Sequence, residues 1–384
     1  MSSAAPATTL QPAGAAALAA LRLPLVPRSK PACGPLDARI ARACRLARAA
    51  AAAGESDPLE HAAEALNLAA LILSDCGAPE LAKQLCRQQA LCFATAGPYD
   101  TATAKLALQP VINIGRLLSL AADPAAHRHF QALFDAVAGR GEITIDGHPV
   151  SYATLARSDD DHREIVQWLW QVLLADGTRA LTRAGRWSAA LEHITQHNGA
   201  GERLLDGRQV LIVARAAGQD HKAALALLAA SSTPAAWEQP VAACLQALVL
   251  AMAGQFSGAA ISAMSRAYEQ PGLAGTHAVF RVRLGLCALS LATGTRHEPA
   301  IARQIIRAAL DDGDAYAAHE VTRHHDCMSH ATGAERLTLS GTIREAGLGQ
   351  GKPPAEQLDL LMDAARISKA AITASLSTRT RTSG

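Results

Sequence analysis

The 384 residues carry 36 basic and 34 acidic side chains, a formal net charge of only +2, so no overall field favours nucleic acid or an acidic membrane surface. Hydrophobic residues make up 49% of the chain and aromatic residues only 3%, because alanine fills most apolar positions. This composition excludes a β-rich fold, which needs more valine, isoleucine and aromatic residues, and predicts an all-α protein.

The stretch nearest to a membrane span runs from Pro240 to Ser265 without a charge, but Gln246, Gly254 and Gln255 interrupt it. Its strongly apolar part is shorter than the roughly 18 residues that a span requires. The eight cysteines include no C-x-x-C pair, the spacing typical of zinc ribbons and thioredoxin-like redox motifs. The sequence therefore predicts a cytoplasmic protein with no cofactor, no nucleic-acid partner and no membrane partner, and it leaves the oligomeric state open.

The first part of the chain is predicted to hold a leader and a set of helical hairpins. Residues 1–36 are rich in Ala, Pro, Ser and Thr and are predicted to form a flexible leader. Helical hairpins are predicted over residues 37–140. Asp57 followed by Pro58 is typical of a helix start, and Gly77 is predicted at the turn of the hairpin that this helix opens.

A short β-hairpin is predicted to interrupt the helices over residues 141–152. Ile143 and Ile145 alternate with polar residues, and Asp146 and Gly147 follow them. An Asp-Gly pair between alternating strands is typical of a two-residue hairpin turn.

Helices are predicted to resume at Asp159 and to continue in pairs within residues 153–376, before a disordered tail at residues 377–384. Four glycines in this region share one local frame, with an apolar run before the glycine and an alanine and a second apolar run after it. They lie 33, 36 and 40 residues apart and are Gly185, Gly218, Gly254 and Gly294. Helical hairpins that recur near this period stack into a solenoid.

The frame around Gly185 resembles the tetratricopeptide repeat (TPR), a helical hairpin with apolar, small, glycine, aromatic and alanine positions at fixed offsets. The residues that carry the resemblance are Leu174, Gly177, Leu181, Gly185, Trp187, Ala190, Leu191 and Ile194. A shorter match comprises Gly254, Phe256 and Ala259, whereas Asp220 occupies the aromatic position after Gly218. The spacing departs from the family's repeat of about 34 residues. The resemblance implies a TPR-like α-solenoid of stacked helical hairpins with one small inserted β-hairpin.

In such arrays the first helix of each hairpin lines a concave face, and its non-core positions face the ligand. Aligning the hairpins on their turns places these side chains on or next to the groove: Asn67, Asn113, Arg179, Arg183, Arg208, Arg215 and Arg281. Because guanidinium groups bind carboxylates through two hydrogen bonds, this set suits an acidic peptide. The alternative is that these arginines are solvated positions on helix faces.

The segment from His319 to His330 is the densest cluster of metal-binding residue types. On a continuous helix, Glu320, His324 and Cys327 follow the spacing i, i+4, i+7 and share one face. Zinc accepts all three ligand types, although the spacing is not that of an H-E-x-x-H motif. The favoured interpretation is a polar helix face near a turn, with no metal.

A second candidate is the run from Asp159 to Asp161, which resembles the aspartate-rich motif that holds magnesium in the all-α isoprenoid cyclases. Its alternative is structural, since Ser158 and the aspartates are typical of a capped helix start. No P-loop, dinucleotide fingerprint or nucleophile elbow is present, and no catalytic residue is predicted.

The leading function is a non-catalytic adaptor or regulatory scaffold that binds a protein or peptide, with an acidic peptide as the ligand that the arginines suit. Two alternatives stay open. One is an all-α metal-dependent enzyme that uses zinc at the His319–His330 cluster or magnesium at Asp159–Asp161. The other is a peptide-sensing regulator that lacks its own DNA-binding domain.

Overall fold

The computed structural model describes residues 10–28, 31–52, 57–94, 96–145, 147–255, 257–270, 273 and 276–382. Asp146, Phe256, the first nine residues of the predicted leader, its residues 29–30 and the last two residues of the predicted tail lie outside this description. The described residues are mostly helical and contain one two-stranded sheet, which confirms the all-α class. None of their helices combines the length and the apolar character needed to cross a bilayer.

The helices are labelled in chain order. From Pro12 to Ala217 they are α1 (Pro12–Arg22), α2 (Leu36–Ala51), α3 (Pro58–Cys76), α4 (Pro79–Ala94), α5 (Thr101–Leu120), α6 (Ala125–Ala138), α7 (Asp159–Val172), α8 (Thr178–Arg183), α9 (Trp187–Gln196) and α10 (Asp206–Ala217). From His221 to Thr382 they are α11 (His221–Ala229), α12 (Glu238–Met252), α13 (Gly258–Glu269), α14 (Ala278–Ala292), α15 (Glu298–Asp312), α16 (Ala315–Thr322), α17 (His325–Ser329), α18 (Gly333–Glu345) and α19 (Ala355–Thr382). A π-helical turn, Leu173–Gly177, follows α7.

The chain divides into two compact units. Unit I combines Met1–Cys33 with Thr178–Ile343, and unit II combines Gly34–Gly177 with Arg344–Gly384. Each unit is discontinuous in sequence, whereas the sequence predicted contiguous blocks. The difference arises at α1 and α19, each of which buries its apolar side chains in the core of its own unit although it lies far away along the chain.

The predicted leader and tail both contain helix. The alanine-rich run after Pro12 forms α1, and Ala15, Leu18 and Ala19 of this helix are buried in the core of unit I. Alanine needs little side-chain ordering to become helical, and docking stabilises a helix that would be marginal alone. In the tail, α19 continues without a break through Thr382.

The predicted β-hairpin is present in unit II. Its strands are β1 (Glu142–Ile145) and β2 (His148–Ser151), which pair in antiparallel register with Ile145 opposite His148. Ile145 and Val150 are buried in the core of this unit. Gly147 adopts a φ of +79° at the turn, a conformation that glycine reaches without a steric penalty.

The four glycines of the shared frame each separate two helices, as predicted. Gly185, Gly254 and Gly294 have φ values of +67°, +68° and +75°, the left-handed conformation in which helices commonly end. The third hairpin differs, because Gly218 has a φ of −80° and Gln219 takes the left-handed position with a φ of +66°.

In unit I, each helix from α8 to α17 packs against the next one in the chain. Taken in pairs, the hairpins are α8–α9, α10–α11, α12–α13, α14–α15 and α16–α17. The first helices of successive pairs, α8, α10, α12, α14 and α16, also contact one another in that order. We call the surface formed by these five helices the first-helix face.

Unit II contains two further antiparallel pairs, α3–α4 and α5–α6, followed by α7. The long helix α19 packs across α2, α3 and α4. Leu361, Ile372 and Leu376 of this helix are buried in the core of the unit.

Candidate functional site

Residues 10–28 lie against the first-helix face of unit I; we call them the docked segment. Its helix α1 packs against α8, α12 and α14, three of the five first helices. The chain then leaves the helix at Leu23, which has extended backbone angles (φ −90°, ψ 152°). The face predicted to bind a ligand is thus covered by α1 and by residues 23–28, which follow it without helix. We call residues 23–28 the extended stretch.

Gln209 of α10 binds the backbone of the extended stretch through both ends of its side-chain amide. The Leu25 N–H donates to Gln209 Oε1 at 2.7 Å, and Gln209 Nε2 donates to the Leu25 carbonyl at 2.8 Å. The second amide proton is donated to the Leu204 carbonyl at 3.1 Å. Gln209 is 0% exposed, so these partners replace the hydrogen bonds that water would make.

Two more side chains of the first-helix face contact carbonyl groups of the docked segment. Arg283 Nη2 of α14 donates to the Arg22 carbonyl at 3.3 Å. Thr182 Oγ1 of α8 has a single proton, which it donates to the Arg179 carbonyl at 3.2 Å; the Leu23 carbonyl, 3.5 Å away, is a more distant alternative acceptor. These contacts, like those of Gln209, are made to backbone groups and place no requirement on the side chains of the bound segment.

The side chains of the extended stretch supply the sequence-dependent contacts. Leu23 and Leu25 are each only 2% exposed and belong to the same hydrophobic cluster as Val210 and Val213 of α10. Arg28 pairs with Asp206 at 2.7 Å on the surface. The burial of two leucines stabilises the docked position by about 3–6 kcal/mol before the cost of ordering the chain.

Arg22 connects the end of α1 to a cluster of charged groups. Its Nη1 lies 2.6 Å from Glu320 Oε2 of α16, and the residue is 6% exposed. Burial lowers the pKa of the nearby Arg283 guanidinium; Glu320 opposes this shift, and Arg183 and Arg22 add to it. The Nε atoms of Arg22 and Arg283 are buried and have no hydrogen-bond partner in the described part of the chain.

The five predicted groove arginines, all in unit I, contact different groups. Arg183 lies in the charged cluster, and Arg215 is exposed on α10. Arg208 donates to Ser231 Oγ and to the Leu227 carbonyl, both at 3.0 Å. Arg281 donates to the Thr276 carbonyl and lies 3.3 Å from Asp312. Arg179 is half-buried on α8, where its carbonyl accepts a hydrogen bond from Thr182.

Asn67 and Asn113 belong to unit II. Asn113 Nδ2 donates to Asn67 Oδ1 at 3.1 Å, and Gln109 Nε2 donates to Asn113 Oδ1 at 2.9 Å. The two asparagines, predicted at equivalent groove-facing positions, bind each other across α3 and α5, and their amides join these two helices.

The single helix face on which the alternative zinc site depended does not form, because the helix is interrupted. α16 ends at Thr322 and α17 begins at His325. His324 caps the second helix: its Nδ1 accepts from the Cys327 N–H at 3.3 Å, which leaves the ring proton on Nε2 to be donated to Ser290 Oγ at 3.1 Å. Glu320 binds Arg22, and burial raises the pKa of the Cys327 thiol to about 12.

The aspartates at the start of α7 are occupied in a similar way. Ser158 caps the helix by accepting from the Asp161 N–H at 3.1 Å. Asp161 Oδ1 accepts from Thr101 Oγ1 at 2.9 Å, and the hydrogen bonds from Ser158 and Thr101 lower the pKa of this carboxyl. Asp159 pairs with Arg140 and Asp160 with Arg163. Across the described residues, no three His, Cys, Asp or Glu side chains are arranged to hold a metal ion.

Each unit also contains a cavity. In unit I, a cavity of about 110 Å³ lies between Leu10, Gln11 and Pro12 on one side and the turn between α12 and α13 on the other. In unit II, a cavity of about 940 Å³ lies between α19 and the first turns of α3 and α5. Alanine is the commonest residue in its lining, which also includes the charged side chains of Asp57, Glu60 and Arg366.

Gln209 and Glu320 contact the docked segment most directly, and neither was predicted from the sequence to bind a peptide segment. Gln209 is a polar side chain within an apolar helical run, the local signal of a buried amide with a specific partner. Glu320 was considered only as a metal ligand. The extended stretch also had a signal, because Pro24 and Pro27 flank Leu25 and exclude a helix there.

The residues that carry the TPR resemblance in unit I are well packed: Leu181, Trp187, Ala190 and Ile194 are all buried in its core. Leu174 and Gly177 lie in the π-helical turn of unit II. No protein-family model, curated protein or solved structure matches the chain. The argument for function therefore rests on the geometry of the first-helix face.

Proposed function

We propose that this chain is a non-catalytic adaptor or regulatory protein that binds an extended peptide segment of a partner. In this proposal α8–α17 form a TPR-like α-solenoid, and the first-helix face is its concave, ligand-binding surface. The partner's backbone is held by Gln209 and Arg283, and its apolar side chains are buried against α10.

The packing order of unit I supports the solenoid. Consecutive helices contact one another from α8 to α17, and the first helices contact one another across the pairs. Stacked hairpins of this kind leave an elongated surface made of first helices, the surface that repeat proteins use for binding.

The two hydrogen bonds between Gln209 and Leu25 carry the proposal. A side-chain amide that accepts from the N–H and donates to the carbonyl of the same residue recognises extended backbone of any sequence. Peptide-binding surfaces commonly gain affinity from main-chain hydrogen bonds and specificity from pockets for the side chains. The first-helix face holds such an arrangement with the docked segment in it.

A preference for acidic peptides lacks part of its expected support. Arg208 and Arg281 are engaged by neighbouring groups within unit I. The proposal therefore concerns extended peptides in general, with the sequence preference set by the side-chain contacts of the face.

The experiment is a selection from a display library of random peptides. The bait is the full chain carrying Leu23→Ser and Leu25→Ser, which removes the two buried leucines that anchor the docked segment. Circular dichroism and urea unfolding establish that the bait is folded. Selected peptides are then titrated against the bait and against the bait with Gln209→Leu.

We expect peptides that bind the bait and lose about tenfold in affinity with Gln209→Leu, the effect of about 1.4 kcal/mol of hydrogen bonding. The matched control is Gln196→Leu on α9, where the glutamine is exposed. A library that yields no binder, or binders that are indifferent to Gln209, would contradict the proposal.

A further inference from the structure

We infer that the docked segment, residues 10–28, is an intramolecular ligand of the first-helix face. The partner that replaces it carries an arginine, then a leucine-like residue, and then a second leucine-like residue after one intervening position. This inference rests on the proposed function. It adds to that function the residue types that the partner segment must carry, and it identifies residues 10–28 as a competitor for the same surface.

The docked segment is attached in the way that a ligand is attached. Within the described residues, no backbone-to-backbone hydrogen bond joins it to the first helices; the contacts run from side chains of the face to its backbone. Its main chain is bound by side chains of the face, chiefly Gln209 and Arg283, and Leu23 and Leu25 are buried in the apolar cluster beside them.

The helical part of the docked segment is weakly anchored. α1 has 11 residues, fewer than a stable isolated helix needs. Its contacts with the core come mainly from alanines and Leu18, while Leu21 is 62% exposed. The cavity of about 110 Å³ beside Leu10 and Pro12 leaves its first turn incompletely packed. These features are typical of segments that open locally at low cost.

The contacts of the extended stretch define what a replacement must offer. Glu320 pairs with the guanidinium of Arg22, and Arg22 is almost fully buried. Leu23 and Leu25 point into the apolar cluster, and Gln209 fixes the backbone of Leu25. Pro24, between the two leucines, is also buried. A partner segment with an arginine, an apolar residue, a proline or other compact apolar residue and a second apolar residue would satisfy every one of these contacts.

The docked segment also sets how tightly such a partner must bind. Because it is covalently attached, it competes at an effective concentration on the order of 1 mM. A free peptide of the same sequence therefore gains access only when the attachment is cut, and a partner that displaces the uncut segment must bind the face much more tightly than this sequence does.

The experiment uses the full chain with a protease recognition sequence inserted between Arg28 and Pro31. The probe is a synthetic, fluorescently labelled peptide with the sequence of residues 10–28. Its binding is followed by anisotropy before and after cleavage, with cleavage by the same protease as the only difference between the two samples. We expect saturable binding to the cleaved chain and at least tenfold weaker binding to the uncut chain.

Equal binding to both samples would overturn the inference, because it would mean that the docked segment does not occupy the site. A cleaved chain that neither releases its own residues 10–28 nor accepts the probe would also overturn it. In that case residues 10–28 are a permanent part of the core.

The arginine requirement is tested by exchanging charges. A probe with Arg22→Glu should bind the cleaved chain at least tenfold more weakly, and the same probe should recover affinity for a cleaved chain with Glu320→Arg. The assignment of Glu320 as the partner of the arginine would be overturned by two results together. The Arg22→Glu probe would not regain affinity for the Glu320→Arg chain, and the unchanged probe would bind that chain as tightly as the natural one.

Hydrogen exchange on the uncut natural chain tests the inference without any variant. We expect the Leu25 amide to exchange at least tenfold faster than the Val249 amide inside α12, because the docked segment opens while unit I stays folded. Equal protection would contradict it. If the display selection yields Gln209-dependent peptides and these tests fail, the peptide-binding function stands and only the inference falls.

Discussion

Gln209 and Leu25, 184 residues apart, are joined by two hydrogen bonds of 2.7 and 2.8 Å between a fully buried side-chain amide and the backbone of an extended residue. This pair links the helical hairpins of unit I to a segment that lies far away in sequence. Together with the pairing of Arg28 and Asp206, it holds the stretch that follows α1 against α10.

Replacing Gln209 with leucine should destabilise the docked position by about 2 kcal/mol, because the Leu25 N–H and two carbonyls are left buried without partners. Urea unfolding followed by circular dichroism measures the loss. Gln196→Leu on the exposed side of α9 is the control and should change the free energy of unfolding by less than about 0.5 kcal/mol. Equal effects of the two variants would contradict the role of the Gln209 amide.

Glu320→Gln should lower stability by about 2 kcal/mol, because it leaves the buried guanidinium of Arg22 without a counter-charge while water reaches the half-exposed carboxyl position. The comparison variant is Asp363→Asn, which removes an exposed ion pair with Arg366 and should cost well under about 1 kcal/mol. Denaturant titrations of both variants test this. An unchanged free energy of unfolding in Glu320→Gln would show that the ion pair with Arg22 does not stabilise the protein.

The stability of unit I should fall on acidification through His324. Burial lowers the pKa of this histidine below its ordinary value, and Arg22 lowers it further, while Asp326 and Glu320 act in the opposite direction. The unfolded chain therefore binds more protons between the two pKa values, and the free energy of unfolding decreases as the pH falls through that interval.

The variant His324→Asn keeps a good N-cap for α17 and removes the titrating group. Between about pH 7 and pH 5 its free energy of unfolding should decrease less than that of the natural chain. The slopes of the free energy of unfolding against pH should differ by at most the contribution of one proton. Urea titrations at several pH values provide the measurement. An unchanged slope would mean that His324 is protonated equally in the folded and unfolded chain.

Two glycines of the shared frame should respond differently to alanine. Gly185 has a φ of +67° and open space where a methyl side chain would lie, so Gly185→Ala adds only backbone strain and should cost about 1 kcal/mol. Gly218 has a φ of −80°, and Gly218→Ala should be close to neutral or slightly stabilising. Thermal or urea unfolding separates the two, and a reversed order would contradict the assigned turns.

Local patterns predicted the helices and their turns well, because these depend on neighbouring residues. Helices end at Gly185, Gly254 and Gly294 because glycine adopts the left-handed conformation, with positive φ, without a steric penalty. The alternation of Ile143 and Ile145 predicted the β-hairpin in the same way. The exception at Gly218 is also local, since the turn is displaced by one residue onto Gln219.

The site was harder to predict, because its contacts join residues distant in sequence. The leader looked unstructured from its Ala, Pro and Ser content, yet α1 is ordered by docking onto α8, α12 and α14. The zinc hypothesis assumed one continuous helix, and the capping bond of His324 interrupts it. A spacing argument fails wherever a side chain binds the backbone in place of the helix.

The most direct test of the account is hydrogen exchange at the Leu25 amide in the natural chain, with and without a peptide obtained from the display selection. Because the peptide and the docked segment would use the same Gln209 amide, saturating peptide should abolish the protection of Leu25 and leave that of Val249 in α12 unchanged. A peptide that binds tightly while Leu25 keeps its full protection would contradict the account, because the ligand would then lie elsewhere.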